Sequence, residues 1–143
     1  MIKRRKGWPE ILNAELIRLH KVPFEFGKHD CCVFSANMVK ALTDPEWDPM
    51  EGLRGYRSVA GSVRMLKDNN AKNIDELISR IMEEHNIPEV PVALAKRGDV
   101  VLGEDEKGEP SAGICCGMLS VYPGENNLIY KYTVNARKAW HYG

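Results

Sequence analysis

Helical spacing of apolar residues runs along the chain as far as about Val90, and strand-like spacing replaces it from there on. From Trp8 and Pro9, the residues Leu12, Leu16 and Leu19 form one stripe. They predict a helix to about His20 or Lys21 with Pro9 in its first turn. "VPFEFG" reads as an extended approach broken by Pro23 and Gly27. Asp30 is then placed to cap a helix running to about Leu42, with Cys31, Phe34, Ser35, Met38 and Leu42 near one face. A short helix is expected from Ser58 to about Lys67. "NIDELISRIMEEHNIP" is the clearest helix of the chain: Asn73 caps it, Glu76 follows three residues on, and Ile74, Leu77, Ile78, Ile81 and Met82 stand at core spacing. Beyond Val90, "GDVVL", "AGICCGMLSVY" and "LIYKYTV" are short β-rich runs separated by Gly, Pro and Asn, which predicts a small antiparallel sheet closing the chain. Helices first and strands second is the pattern of an α+β fold.

No linker, repeat or low-complexity tract divides these elements, and 143 residues is the size of one domain, so a single domain is expected over residues 1–143. The basic start "MIKRRKGW" is expected as a flexible, solvated end over residues 1–7. "TDPEWDPMEGLRGYRS" reads as a long ordered loop pinned by Trp47, Leu53 and Tyr56. Its Asp48, Arg54, Tyr56 and Arg57 are candidates for a groove or partner surface, or for a clamp in which an arginine pairs with Asp48 or Glu51.

Charge narrows the partners. Twenty basic residues balance twenty acidic ones, which leaves no global field to draw in nucleic acid or a membrane surface. The apolar runs are far shorter than the roughly 20 residues of a membrane span, and no apolar stretch of signal-peptide type follows the basic start; the expected site of synthesis is the cytoplasm.

The candidate chemistry lies in "FGKHDCCVF". A cysteine just inside a helix N-terminus meets free N–H groups and the positive end of the helix dipole, which stabilise a thiolate. Cys31 is in that place, and Cys32, one step round, is expected to pack inward. Cys31 alone also fits a buried structural thiol. The cysteines come as the adjacent pairs Cys31/Cys32 and Cys115/Cys116, without C-x-x-C spacing, so neither a zinc site nor a structural disulfide is expected. Neighbours diverge by about 100° on a helix and alternate on a strand, so each pair is expected to offer one side chain to a given site. His20 and His85 read as structural and solvent-facing, respectively, and Trp140 as core.

The cysteine-bearing helix, the turn "RGD" into "VVL" and the later strand "SAGICCG" together resemble the NlpC-like peptidases, a papain-fold family that hydrolyses amide bonds in cell-wall peptides. The resemblance implies a central helix led by Cys31 packed on a small C-terminal antiparallel sheet, with Cys31 as nucleophile and no cofactor. The family's general base is a histidine in the position of Ser111, and a serine hydroxyl cannot take up a thiol proton near neutral pH. His29, two residues before Cys31, is the alternative base; His141 is a weaker one. Alternation puts Ser111, Gly113 and Cys115 on one face, which in that architecture looks toward the nucleophile and would bring Cys115 near Cys31.

More closely, "PFEFGKHDCCVF", "DPMEGLRGYRS", "RGDVVL", "GICCG" and "ARKAWHYG" resemble an NlpC-like family of unknown function encoded by phages and prophages near tail genes. That resemblance implies synthesis in the host cytoplasm, a place in the virion tail and other tail proteins as partners. Two functions stay open: a tail-associated structural or assembly component with a degenerate site, and a cysteine amide hydrolase acting on peptidoglycan peptides.

Overall fold

A computed structural model describes residues 2–143. Each of its three internal helices starts on a side chain that closes its own first turn. Asp30 accepts the Val33 N–H at 2.8 Å to open α2 (Cys31–Leu42), and Ser58 accepts the Gly61 N–H at 3.0 Å to open α3 (Val59–Asp68). Asn73 accepts the Glu76 N–H at 2.9 Å to open α4 (Ile74–Glu84), while Glu76 reaches back to the Lys72 N–H. Each cap satisfies a donor that the helix itself cannot. Helix α1 (Trp8–Leu19) instead begins at Gly7, whose φ of 79° turns the chain, with Pro9 in the first turn.

Six strands follow: β1 (Glu89–Val90), β2 (Val100–Glu104), β3 (Pro110–Cys115), β4 (Leu119–Pro123), β5 (Leu128–Tyr132) and β6 (Lys138–Trp140). All their pairings are antiparallel, in the order β1-β6-β2-β3-β4-β5. The expected α+β class and the helix-then-sheet order therefore hold. The run "AGICCGMLSVY" contributes to two strands. Gly117 takes φ 111° and splits it into β3 and β4, with the Cys116 N–H bonded to the Leu119 carbonyl at 2.8 Å. "LIYKYTV" likewise leaves the sheet at Thr133 in a 3₁₀ turn, and the chain then returns as β6 beside β2.

One face of the sheet carries the main core. Val100, Leu102, Ala112, Ile114, Val121 and Trp140 pack there against Leu12 of α1, Phe34, Met38 and Leu42 of α2, and Ile78 and Met82 of α4. The other face holds Val101, Cys115, Tyr122 and Ala139 in a smaller cluster. Tyr122 lies across a floor of two glycines: a Cβ on Gly103 would stand 2.1 Å from its hydroxyl, and one on Gly113 would stand 2.5 Å from its ring.

The N-terminal segment departs from its expected flexibility. Arg4 donates to Asp99 at 2.6 Å and to the Tyr142 carbonyl at 2.9 Å, and its guanidinium lies between the rings of Trp8 and Tyr142. Arg5 adds a backbone bond to the Leu42 carbonyl at 2.7 Å. Residues 2–7 thus tie the start of the chain to β2 and to its end; Met1 lies outside the described residues.

Candidate functional site

The approach to Cys31 is built around a backbone crossing. Gly27 takes φ 79°, and a Cβ there would stand 1.7 Å from the Tyr56 carbonyl oxygen, so a glycine is required where the 44–57 loop passes over. The same loop delivers the Tyr56 hydroxyl to Asp30 at 2.6 Å. Asp30 therefore accepts three bonds: from Tyr56, from the Gly27 N–H at 2.9 Å and from the Val33 N–H at 2.8 Å. Burial, reinforced by the bond to Asp30, pushes the Tyr56 phenol well up, so it remains a donor.

Cys31 is the first residue of α2 and half-buried. A contact from the Cys32 thiol, sulfur to sulfur at 4.0 Å, does most to hold its pKa below the ordinary thiol value. Desolvation opposes this; the Ala112 N–H and Ser111 add to the lowering, and the nearby Asp30 charge opposes it. The cost falls on the neighbour: the bond to Cys31 and burial push the Cys32 thiol well up. The two sulfurs therefore share one site, contrary to the expectation that adjacent cysteines diverge. At the very start of the helix the two side chains turn toward each other.

Sheet register explains why Ser111 reaches this site. Strand β4 pairs with β3 only at Ile114 and Cys115, so beyond it the edge of β3 at Ser111 and Ala112 is left to the first turn of α2. Ser111 is buried, and its hydroxyl donates to the Ala112 carbonyl at 3.2 Å. Ser111 and the Ala112 N–H there lie against the Cys31 sulfur.

The other candidates are elsewhere. His29 is 4% exposed, with its ring edge-on to Phe34 at 5.9 Å between centroids, and its Nε2 has no partner among the described residues. No hydrogen bond joins it to Cys31. Desolvation lowers its pKa, with Arg18 acting in the same direction and Asp30 against it. His141 bonds Asp99 at 2.7 Å through Nδ1, beside Arg4. Arg5, next in the chain, holds the last carbonyl of α2, so His141 lies at the opposite end of that helix from Cys31. The 12 residues of α2 put about 18 Å between those ends. Cys115 packs behind the sheet with Tyr122, bonded to Gly117 and near Thr133, and does not approach Cys31; its neighbour Cys116 is the one that packs toward the helical core.

Beneath Cys32 a narrow apolar cavity of about 40 Å³ is lined by Ser35, Val39, Met50, Leu77, Ile78 and Ala112, among others. Cys32 lines it and Cys31 does not. Among the described residues no three His, Cys, Asp or Glu side chains are grouped to hold a metal ion, and no helix is long and apolar enough to cross a membrane. In the long loop, Arg54 clamps Asp48 through two bonds at 2.7 and 2.9 Å and reaches Asn37 at 2.9 Å. That bonding, above all, lowers the Asp48 pKa. Arg57 is exposed. His85, expected to face solvent, is half-buried edge-on to Trp47.

The profile of a family described as a domain of unknown function, DUF6950, matches residues 3–142. The chain belongs to that family. No curated protein and no solved structure matches it.

In this DUF6950 chain two long-range contacts have partners that no local pattern names, one at the site and one at the far end of α2. Tyr56 sits 26 positions from Asp30, and Arg4 sits 95 from Asp99. Trp47, Leu53 and Tyr56 itself mark the loop as held in place, without naming Asp30 as the partner. His29 yields a testable consequence. Its folded pKa lies below the unfolded value of about 6.5, so stability is full above that pH and is lost as pH falls through it toward the folded pKa. Thermal unfolding at pH 7 and pH 5 is expected to show a drop that His29→Met reduces; an unchanged drop would remove His29 as its source.

Proposed function

We propose that this chain is an NlpC-like domain, encoded by a phage or prophage and associated with the tail, whose nucleophile position is retained without amide hydrolysis by the chain alone. One observation carries the reading: the group beside the Cys31 sulfur is Ser111, and no imidazole bonds that sulfur. A thiolate formed without a base can still attack a carbonyl. Expelling an amine then requires an acid to protonate it, and a serine hydroxyl does not serve near neutral pH. The NlpC-type arrangement is supported by the cysteine-led helix against the edge of an antiparallel sheet, and the tail association by the resemblance of "PFEFGKHDCCVF" and "ARKAWHYG" to a tail-linked family.

The second reading is a cysteine amide hydrolase acting on peptidoglycan peptides, favoured by the lowered Cys31 thiol. Mass spectrometry of peptidoglycan stem peptides incubated with the wild type, Cys31→Ala and Ser111→His separates the two. The wild type is expected to leave the peptides intact. Ser111→His places an imidazole at the sulfur and is expected to quicken iodoacetamide labelling of Cys31 at pH 6–7 several-fold, at a packing cost of about 1–3 kcal/mol. Turnover by the wild type that Cys31→Ala abolishes would establish the hydrolase instead.

A further inference from the structure

The strongest feature the hydrolase question leaves unused is the sulfur pair. Cys31 and Cys32 are both free and half-buried, with their sulfurs 4.0 Å apart. They occupy the first two positions of α2, where the N–H groups have no partners within the helix. The cap bond from the Val33 N–H to Asp30 spans both cysteines, so closing a bond between their sulfurs has to distort the first turn that this cap holds. Cys115 and Cys116 lie outside the pair, the former buried behind the sheet.

The geometry points to a redox-active dithiol: Cys31 and Cys32 exchange with low-molecular-weight disulfides of the glutathione class and close into a Cys31–Cys32 disulfide. The steps balance with that disulfide as the only oxidant. The Cys31 thiolate attacks one sulfur of the small disulfide, a protein–sulfur bond forms, and one small thiolate leaves with the electron pair. Cys32 then gives its proton to solvent, and its sulfur attacks Cys31 Sγ and expels the second small thiolate. Two electrons pass from the protein to the small disulfide, which ends as two thiols. The opposite shifts of the two cysteines divide the labour: Cys31 attacks, and Cys32 holds its proton until the mixed disulfide has formed.

Geometry also sets the poise of the product. Adjacent Cα atoms are held about 3.8 Å apart, below the roughly 4.4–6.8 Å that disulfides usually span. The closed form is therefore strained and readily reduced, the dithiol is the resting state in a reducing compartment, and closure removes the thiolate from the nucleophile position. This inference stands whether or not the chain hydrolyses amides.

The test uses the whole protein and oxidised glutathione, followed by alkylation and tryptic mass spectrometry of residues 29–40, which carry both cysteines. The expected peptide is unalkylated, lighter by two hydrogens and free of glutathione, and dithiothreitol restores double alkylation. Cys32→Ser is expected to keep a glutathione on Cys31, because nothing resolves it. A wild-type peptide that retains glutathione, stays fully alkylated, or is linked to Cys115 or Cys116 would overturn the inference.

Discussion

Replacing Arg4 with methionine is expected to cost about 3–5 kcal/mol of stability, the range for breaking one side of a buried ion pair, and about 10–20 °C in melting temperature for a domain of this size. The magnitude follows from what the guanidinium holds. Its partner Asp99 is fully buried, and the Arg4 side chain is only 7% exposed, so the carboxylate would lose a charge partner where water cannot replace it. The bonds to the Tyr142 and Arg97 carbonyls and the stacking on Trp8 and Tyr142 go with it. Arg4→Lys is expected to recover only part, because an ammonium cannot stack between two rings while serving three acceptors. Adding Asp99→Asn to Arg4→Met should return some of the loss, since the buried charge left to His141 and the Lys96 N–H alone is then gone. Thermal and urea unfolding of the four proteins measure this. A loss under about 1 kcal/mol for Arg4→Met, the scale of exposed pairs, would mean that the clasp is not formed.

Asp30→Ala is expected to cost about 2–4 kcal/mol, from the lost helix cap and from the buried donors left behind. Those donors are the Gly27 N–H and the Tyr56 hydroxyl, so the damage should spread from α2 into the loop that crosses Gly27. Asp30→Asn separates structure from electrostatics. An amide keeps an acceptor for the Val33 N–H, while the negative charge that opposes the Cys31 thiolate disappears. The pH of half-maximal iodoacetamide labelling of Cys31 is expected to fall relative to the wild type even as stability drops. A rise would show that Asp30 acts on Cys31 mainly by holding the helix start in place.

These effects rest on contacts of very different range, and legibility followed range. The caps Asp30 and Asn73 were readable because each bonds a backbone N–H three residues away, within the element it starts. The Leu12, Leu16 and Leu19 stripe and the core face of α4 were readable because helical periodicity repeats inside one segment. Ser111 was placed beside Cys31 by a resemblance of motif order, and the register of β3 and β4 supplies the physical reason it is there.

Other assignments turned on partners that no local pattern encodes. Strand alternation put Cys115 on the face of Ser111, but the end of β4 and the turn at Gly117 leave Ser111 at an open edge while Cys115 packs behind the sheet. "MIKRRKGW" has the composition of a solvated end, and one buried carboxylate 95 residues away makes Arg4 a fixed part of the fold. The helices, the caps at Asp30 and Asn73, the α+β order and the cysteine at a helix start are legible in the sequence, because short-range hydrogen bonds and side-chain periodicity suffice for those. Tertiary structure alone decided that Cys31 and Cys32 face one another, that His29 turns into the core, that His141 serves Asp99 and that Tyr56 holds Asp30. Each of these depends on where separate elements meet, and that meeting is set by the packing of the whole core.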